Sequence, residues 1–140
     1  MKQSSKQTIL LIEDDPLLID IYSTKFKESG FEVQVADSGE KALSLFLKVS
    51  PSLIVMDIVL PHTDGWELLA VAQKQENLKN TKIIVLSNLG QKEEIEKGIS
   101  LGADRYLIKA HFTPSQVVDE VRELLQEGKI DNESNGEYAK

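Results

Sequence analysis

Asp57 closes a run of apolar residues, Leu53 to Met56, and is followed by the turn-forming stretch Pro61-His62-Thr63-Asp64-Gly65. An apolar run without polar alternation marks a strand covered on both faces, so Asp57 stands where a buried strand stops. A carboxylate there is partly desolvated and calls for a cation or donors to answer it. Taken alone, such an Asp would read as a strand cap or the first residue of a turn. It is not alone. A second short apolar run, Thr8 to Ile12, ends in Glu13-Asp14-Asp15-Pro16, and two further strand-like stretches, Lys82 to Leu86 and Asp104 to Ile108, end in Ser87 and Lys109.

Glu13, Asp14 and Asp57 gathered in one crevice would repel one another, and a hard divalent cation among them makes the arrangement tenable at neutral pH. Mg²⁺ suits an all-oxygen site that keeps several waters, and Mn²⁺ can substitute for it. The expected ligands are Asp14 and Asp57 directly, Glu13 through water, and the backbone carbonyl of Val59. Acids at a helix start are favoured by the helix dipole, which accounts for Asp15; Glu13 and Asp14 follow directly on a strand and fit that explanation less well. The first loop is acidic and carries Pro16 instead of a glycine-rich phosphate cradle, so phosphate would approach by way of the metal. Asp57 can then act as a nucleophile toward phosphorus and form an acyl phosphate. Ser87 can donate to one phosphoryl oxygen and Lys109 can neutralise another, the charge clamp that phosphoryl transfer requires.

The elements that must position these groups follow from punctuation and periodicity. Pro16 suits a first helical turn; Leu18, Ile21, Tyr22 and Phe26 recur at helical spacing until Gly30 stops the helix. Phe31 to Ala36 predicts a second strand. Asp37-Ser38-Gly39-Glu40 resembles a capping box before a helix whose inner stripe is Ala42, Leu45, Phe46 and Val49. After the central strand, a helix from about Trp66 presents Leu68, Leu69 and Ala72, and a polar connector runs from Gln75 to Thr81. A weakly apolar helix near Glu93 to Ile99 carries little beyond Ile95 and Ile99, which predicts the least anchored helix. Thr113-Pro114 opens the last helix, with Val117, Val121, Leu124 and Leu125 inward and Gly128 at its close. Five short strands alternating with five helices predict a doubly wound α/β fold with a parallel sheet covered on both faces. In such sheets the ligand site lies beyond the carboxyl ends of the strands, where the strand order reverses.

Composition narrows the function. The 140 residues allow one domain at residues 8–127, with an extension at 1–7 and a flexible polar tail at 128–140. A formal net charge of −7 argues against direct nucleic-acid binding. Without cysteine there is no thiolate chemistry and no disulfide framework, and no apolar segment reaches membrane-spanning length. These features predict a cytoplasmic chain. Asn132-Glu133-Ser134 matches a glycosylation acceptor that such a chain would not use.

The segments ILLIEDDPLL from Ile9, VMDIVLPHTDG from Val55, Ile84 to Ser87, and DRYLIK from Asp104 together resemble the receiver domain of two-component response regulators, over about residues 8–127. The resemblance implies the flavodoxin-like (βα)5 receiver fold. It implies that Asp57 accepts a phosphoryl group from a sensor histidine kinase or histidine phosphotransfer protein. Glu13 and Asp14 would form the acidic pocket, and Ser87 and Lys109 would contact the phosphoryl group. Tyr106 falls at the family's switch aromatic, which swings inward when the hydroxyl is drawn to the phosphate. The face of the fourth helix, fifth strand and fifth helix would then change its preference for an unknown downstream protein, and a phosphorylation-dependent homodimer is within the family's range.

The chain departs from the family pattern at Ala110, where proline usually follows the lysine, so a trans bond and an altered last loop are expected. Asn88 stands where a small residue is usual, and Leu60 replaces a common Met. No output domain follows Gln126, which leaves a single-domain regulator or a piece of a longer chain. Val59 and Leu89 lie two residues past Asp57 and Ser87, flank the path of attacking water and can neither orient nor deprotonate it. Slow self-dephosphorylation is therefore expected. A Mg²⁺-dependent phosphohydrolase of haloacid-dehalogenase type would need a second Asp where Val59 stands, so a turnover enzyme is not expected. Two rival functions are a flavodoxin-like cofactor binder, disfavoured by the acidic first loop, and a phosphorylation-independent interaction module.

Overall fold

A computed structural model describes residues 6–127. Five parallel strands, β1 (Thr8–Ile12), β2 (Glu32–Ala36), β3 (Leu53–Met56), β4 (Lys82–Ser87) and β5 (Arg105–Ile108), form a single sheet in the order β2-β1-β3-β4-β5. The order reverses between β1 and β3, which is the predicted doubly wound topology. Helices α1 (Pro16–Glu28), α2 (Gly39–Phe46), α3 (Gly65–Lys74), α4 (Lys92–Ser100) and α5 (Pro114–Glu127) make the crossovers.

The middle of the sheet is dry on both faces because residues 9–12, 53–56 and 83–86 are all apolar and buried, and alternate residues serve opposite sides. Leu10, Ile12, Ile54, Met56, Ile83, Val85 and Tyr106 face α2 and α3, with Ile95 and Ile99 of α4 packed at the margin. Ile9, Leu11, Leu53, Val55, Ile84, Leu86 and Leu107 face Tyr22 and Phe26 of α1 and Val117, Val121 and Leu124 of α5. Within α4 only Gly98 is fully buried, which agrees with its sparse apolar content. Edge strand β2 alternates exposed and half-buried residues, as a strand with one wet face should.

Local signals behave as their chemistry dictates. Asp15 caps α1 by accepting from the Leu17 N–H at 2.9 Å, and Thr113 and Gln116 cap the start of α5 reciprocally. Gly30 (φ +98°) and Gly102 (φ +114°) end α1 and α4 in the left-handed region that a side chain disfavours. Other expectations need correction. The cap of α2 is Ser38, whose hydroxyl accepts from the Lys41 N–H, while Asp37 only approaches Lys41 Nζ at 4.0 Å. Glu40 thus falls in the first turn but closes no box with Asp37; a glutamate does reach back at α4, where Glu94 accepts from the Gln91 N–H. α2 stops at Phe46, so Val49 lies beyond it, because Asn77 Nδ2 takes up the Phe46 and Val49 carbonyls at 2.8 and 2.9 Å. The connector after α3 holds a 3₁₀ turn, Glu76–Leu78, that buries Leu78. The segment after Asp57 forms a two-stranded ribbon, Val59–Leu60 against Thr63–Asp64, turned by Pro61 and a left-handed His62 (φ 59°). Asp64 then caps α3, which begins at Gly65. No cis peptide bond occurs among the described residues, and Lys109–His111 form a 3₁₀ turn after β5. The expectations for the tail at 128–140, for Asn132 and for a helix stop at Gly128 lie outside the described residues, as does most of the extension at 1–7.

Candidate functional site

Strand register brings the reactive groups to one edge. Ile12 lies opposite Ala36 and Met56, Met56 opposite Val85, and Val85 opposite Tyr106, so the carboxyl ends of the strands are nearly level. The ladder runs one residue past them: the Glu13 N–H donates to the Ala36 carbonyl at 3.1 Å and the Asp57 N–H to the Ile12 carbonyl at 3.0 Å. Both carboxylates thus stand on backbone tied into the sheet.

Lys109, leaving the end of β5, reaches across to both of them. Its Nζ stands 2.6 Å from Asp57 Oδ2 and 2.9 Å from Glu13 Oε1. The side chains of Lys109, Asp57 and Glu13 are 11%, 8% and 3% exposed, so these charges meet with little water between them. Burial alone would lower the lysine pKa, but the hydrogen bonds to Asp57 and Glu13 outweigh it and hold the ammonium above its ordinary range. The remaining oxygens are also used. Glu13 Oε2 accepts from the Asp15 N–H and Asp57 Oδ1 from the Val59 N–H, each at 3.1 Å.

Ser87 is completely buried at the end of β4, and its hydroxyl oxygen accepts from the Leu89 N–H at 3.2 Å. Val59 and Leu89 are therefore tied in the same way, each through its N–H to the side chain two residues earlier. Val59 is 57% exposed and Leu89 half-buried, so two apolar side chains border the site. Tyr106 is fully buried, with its hydroxyl donating to the Leu89 carbonyl at 2.6 Å. Burial, reinforced by Glu94 and only partly opposed by a hydrogen bond to Ser87, pushes its phenol up to about 12. The aromatic expected at a switch position is thus an inward-facing core residue bonded to the loop after β4. Asn88, which stands where a small residue is usual, is exposed.

Asp14 is half-buried in the loop beside Glu13 and stands outside the lysine pairings. Among the described residues no three carboxylate or imidazole groups converge closely enough to hold a metal. The ammonium of Lys109 supplies the countercharge between Glu13 and Asp57 instead. The donor set nevertheless fits a hard cation: all of it is oxygen, two carboxylates are already directed to a common positive centre, and a third is adjacent.

Sequence reasoning missed a second charged cluster. Arg105 of β5 is buried and pairs with Glu120 at 2.7 Å, with Glu123 at 2.9 Å, and with Glu127, all on α5. These bonds keep its guanidinium charged despite burial. The signal in the sequence was three glutamates on one side of α5, a stripe that invites a cation. Lys97 also lies over the Trp66 ring, 4.8 Å from its centre, linking α4 to α3.

Residues 9–122 match the family model described as the response regulator receiver domain. The probable transcriptional regulator ycf27 of Porphyra purpurea is 33% identical over 124 residues, covering 89% of this chain and 49% of that protein. The DNA-binding dual master transcriptional regulator RpaA of Synechocystis is 34% identical, covering 84% of this chain and 48% of that protein. The chain thus spans about half the length of the curated relatives it matches. Among solved structures, a receiver domain protein (CheY-like) from Methanospirillum hungatei superposes with a TM-score of 0.83 at 27% identity, covering 89% and 98% of the two chains. The receiver domain of the Francisella response regulator 1452 gives 0.80 at 32% identity, covering 88% and 99%. Sheet order, helix count and the match across most of the chain agree, and the chain belongs to the response regulator receiver domain family.

Proposed function

We propose that this chain is a phosphorylation-dependent signalling switch in which Asp57 accepts a phosphoryl group from a sensor histidine kinase or a histidine phosphotransfer protein. The observation that carries the reading is Lys109 Nζ held between Asp57 and Glu13 at the point where the strand order reverses. A carboxylate oxygen of Asp57 attacks phosphorus while the bond from phosphorus to the donor imidazole nitrogen breaks, and that nitrogen keeps the electron pair. Asp57 becomes an acyl phosphate. Lys109 offsets charge on one phosphoryl oxygen and the Ser87 hydroxyl donates to another. Asp14 and Asp57 would hold Mg²⁺ or Mn²⁺ directly, with Glu13 through water and the Val59 carbonyl completing the protein's share. The bound ion supplies positive charge to the phosphoryl oxygens and relieves repulsion among the carboxylates.

Drawing Ser87 toward the phosphoryl group loads the loop that carries Leu89, and Tyr106 is bonded to that loop. The face of α4, β5 and α5 then changes its preference for a downstream protein or a second copy of the chain. Hydrolysis of the acyl phosphate resets Asp57, so the domain is a phosphoacceptor and not a turnover enzyme. No described helix is long and apolar enough to cross a membrane, and a cytoplasmic site of action agrees with partnership to a kinase's phosphohistidine. The relatives named as transcriptional regulators are about twice as long, and any DNA contact would belong to chain outside residues 8–127.

Intact mass after incubation with acetyl phosphate tests the reading. One phosphoryl gain that requires both Asp57 and Mg²⁺ is expected. A gain that survives Asp57→Asn or chelation overturns the assignment. No gain with acetyl phosphate or with a phosphorylated histidine donor favours an interaction module that works without phosphorylation.

A further inference from the structure

We propose that Gly98, inside α4, is a positioning residue: the absence of a side chain there admits the Tyr106 ring to its buried place beneath the helix. A Cβ built on Gly98 would stand 2.7 Å from Tyr106 Cδ2 and 2.9 Å from Cε2, closer than carbon atoms pack. The ring cannot yield by small adjustments, because its hydroxyl is anchored to the Leu89 carbonyl at 2.6 Å and its surroundings are dry. The same Cβ would also come 3.7 Å from the Trp66 ring, which Lys97 covers. Gly98 is also the sole fully buried residue of α4. Glycine weakens a nine-residue helix that already has few apolar anchors, so helix formation does not explain it. The close approach of Tyr106 does. Gly98 and Leu89 together form the seat of the ring, and the ring and α4 both keep their places only while position 98 carries no side chain.

With alanine at position 98, either the ring leaves its seat or α4 lifts from the sheet. The consequence for signalling rests on the reading of Asp57 as phosphoacceptor; the placement of the ring does not.

A cycle of four full-length chains tests the proposal: wild type, Gly98→Ala, Tyr106→Leu, and both substitutions together. In the Tyr106→Leu background, alanine should raise the urea midpoint, as expected of a better helix former. With Tyr106 present, alanine should lower the midpoint, bring the Tyr106 phenol titration down toward 10 from about 12, and shift the emission of Trp66, the single tryptophan, to longer wavelength. Equal gains in both backgrounds with unchanged phenol titration and emission would overturn it. Should Gly98→Ala fail to fold, a folded double variant supports the steric account and an unfolded one overturns it. Beryllofluoride, a phosphoryl mimic, should bind Gly98→Ala several-fold more weakly than wild type. A wild type that neither takes a phosphoryl group nor binds the mimic defeats the phosphoacceptor reading, while the titration and the stability cycle still judge the seat.

Discussion

Lys109 and Asp57, 52 residues apart in the chain, meet at 2.6 Å with Glu13 on the lysine's other side. Removing the ammonium leaves two nearly buried carboxylates facing one another without compensation. Lys109→Met should therefore lower stability by about 3–5 kcal/mol, and Asp57→Asn in that background should restore much of it. Urea unfolding of the two variants checks this. An unchanged midpoint for Lys109→Met would show that the pairing contributes nothing.

Alkaline stability should depend on Tyr106. Its ordinary pKa is 10.0 and burial, chiefly, pushes it up to about 12 in the folded chain. The unfolded chain therefore ionises first as pH rises. The stabilising contribution is complete below pH 10, is lost progressively, and is gone once the folded value near 12 is passed. Lys109 acts with the same sign, its contribution intact below its ordinary 10.5 and lost as pH climbs through its raised folded value. Tyr106→Phe should flatten the decline between pH 10 and 12, read from denaturation midpoints alongside tyrosinate absorbance.

The phosphoryl lifetime should be long. Val59 and Leu89 are each tied by an N–H to the side chains of Asp57 and Ser87, and on the proposed function their apolar side chains would flank the line of water attack. Val59→Asn combined with Leu89→Glu supplies groups that can orient and deprotonate water and should shorten the lifetime by at least about tenfold. The decay of phosphorylated mass with time is the measurement. An unchanged lifetime would remove these two residues from the account.

Asn77 should matter well beyond its own turn. Its amide nitrogen satisfies two carbonyls at the end of α2, some thirty residues earlier in the chain. Asn77→Ala leaves those carbonyls without that donor and should cost about 1–3 kcal/mol. Hydrogen exchange should quicken at the end of α2 more than in β3. Uniform quickening would mean that the contact is not local.

The position of the reactive residues was legible because each stands at the end of a strand-like stretch. An apolar run of strand length states its own burial, and alternation with helical stripes states the topology, so the crevice beyond the carboxyl ends follows from connectivity. The boundaries of α2 were not legible. Asp37-Ser38 offers two competent caps one residue apart, and the end of the helix depends on Asn77, which no local window contains. Arg105 was missed for the same reason, since its three glutamate partners lie on the helix that follows the strand and not beside it in the chain.

By itself, the sequence determined the fold class and put Glu13, Asp14, Asp57, Ser87 and Lys109 at the carboxyl ends of strands, because period and punctuation are local properties of the chain. Only the tertiary structure decided how those groups divide their roles. Lys109 pairs with Glu13 and Asp57 and leaves Asp14 to the loop, a choice made by strand register and burial. It likewise seated Tyr106 under α4, where the room comes from Gly98 and the anchor from Leu89. Those contacts join parts of the chain whose spacing carries no period, and close packing alone brings them together.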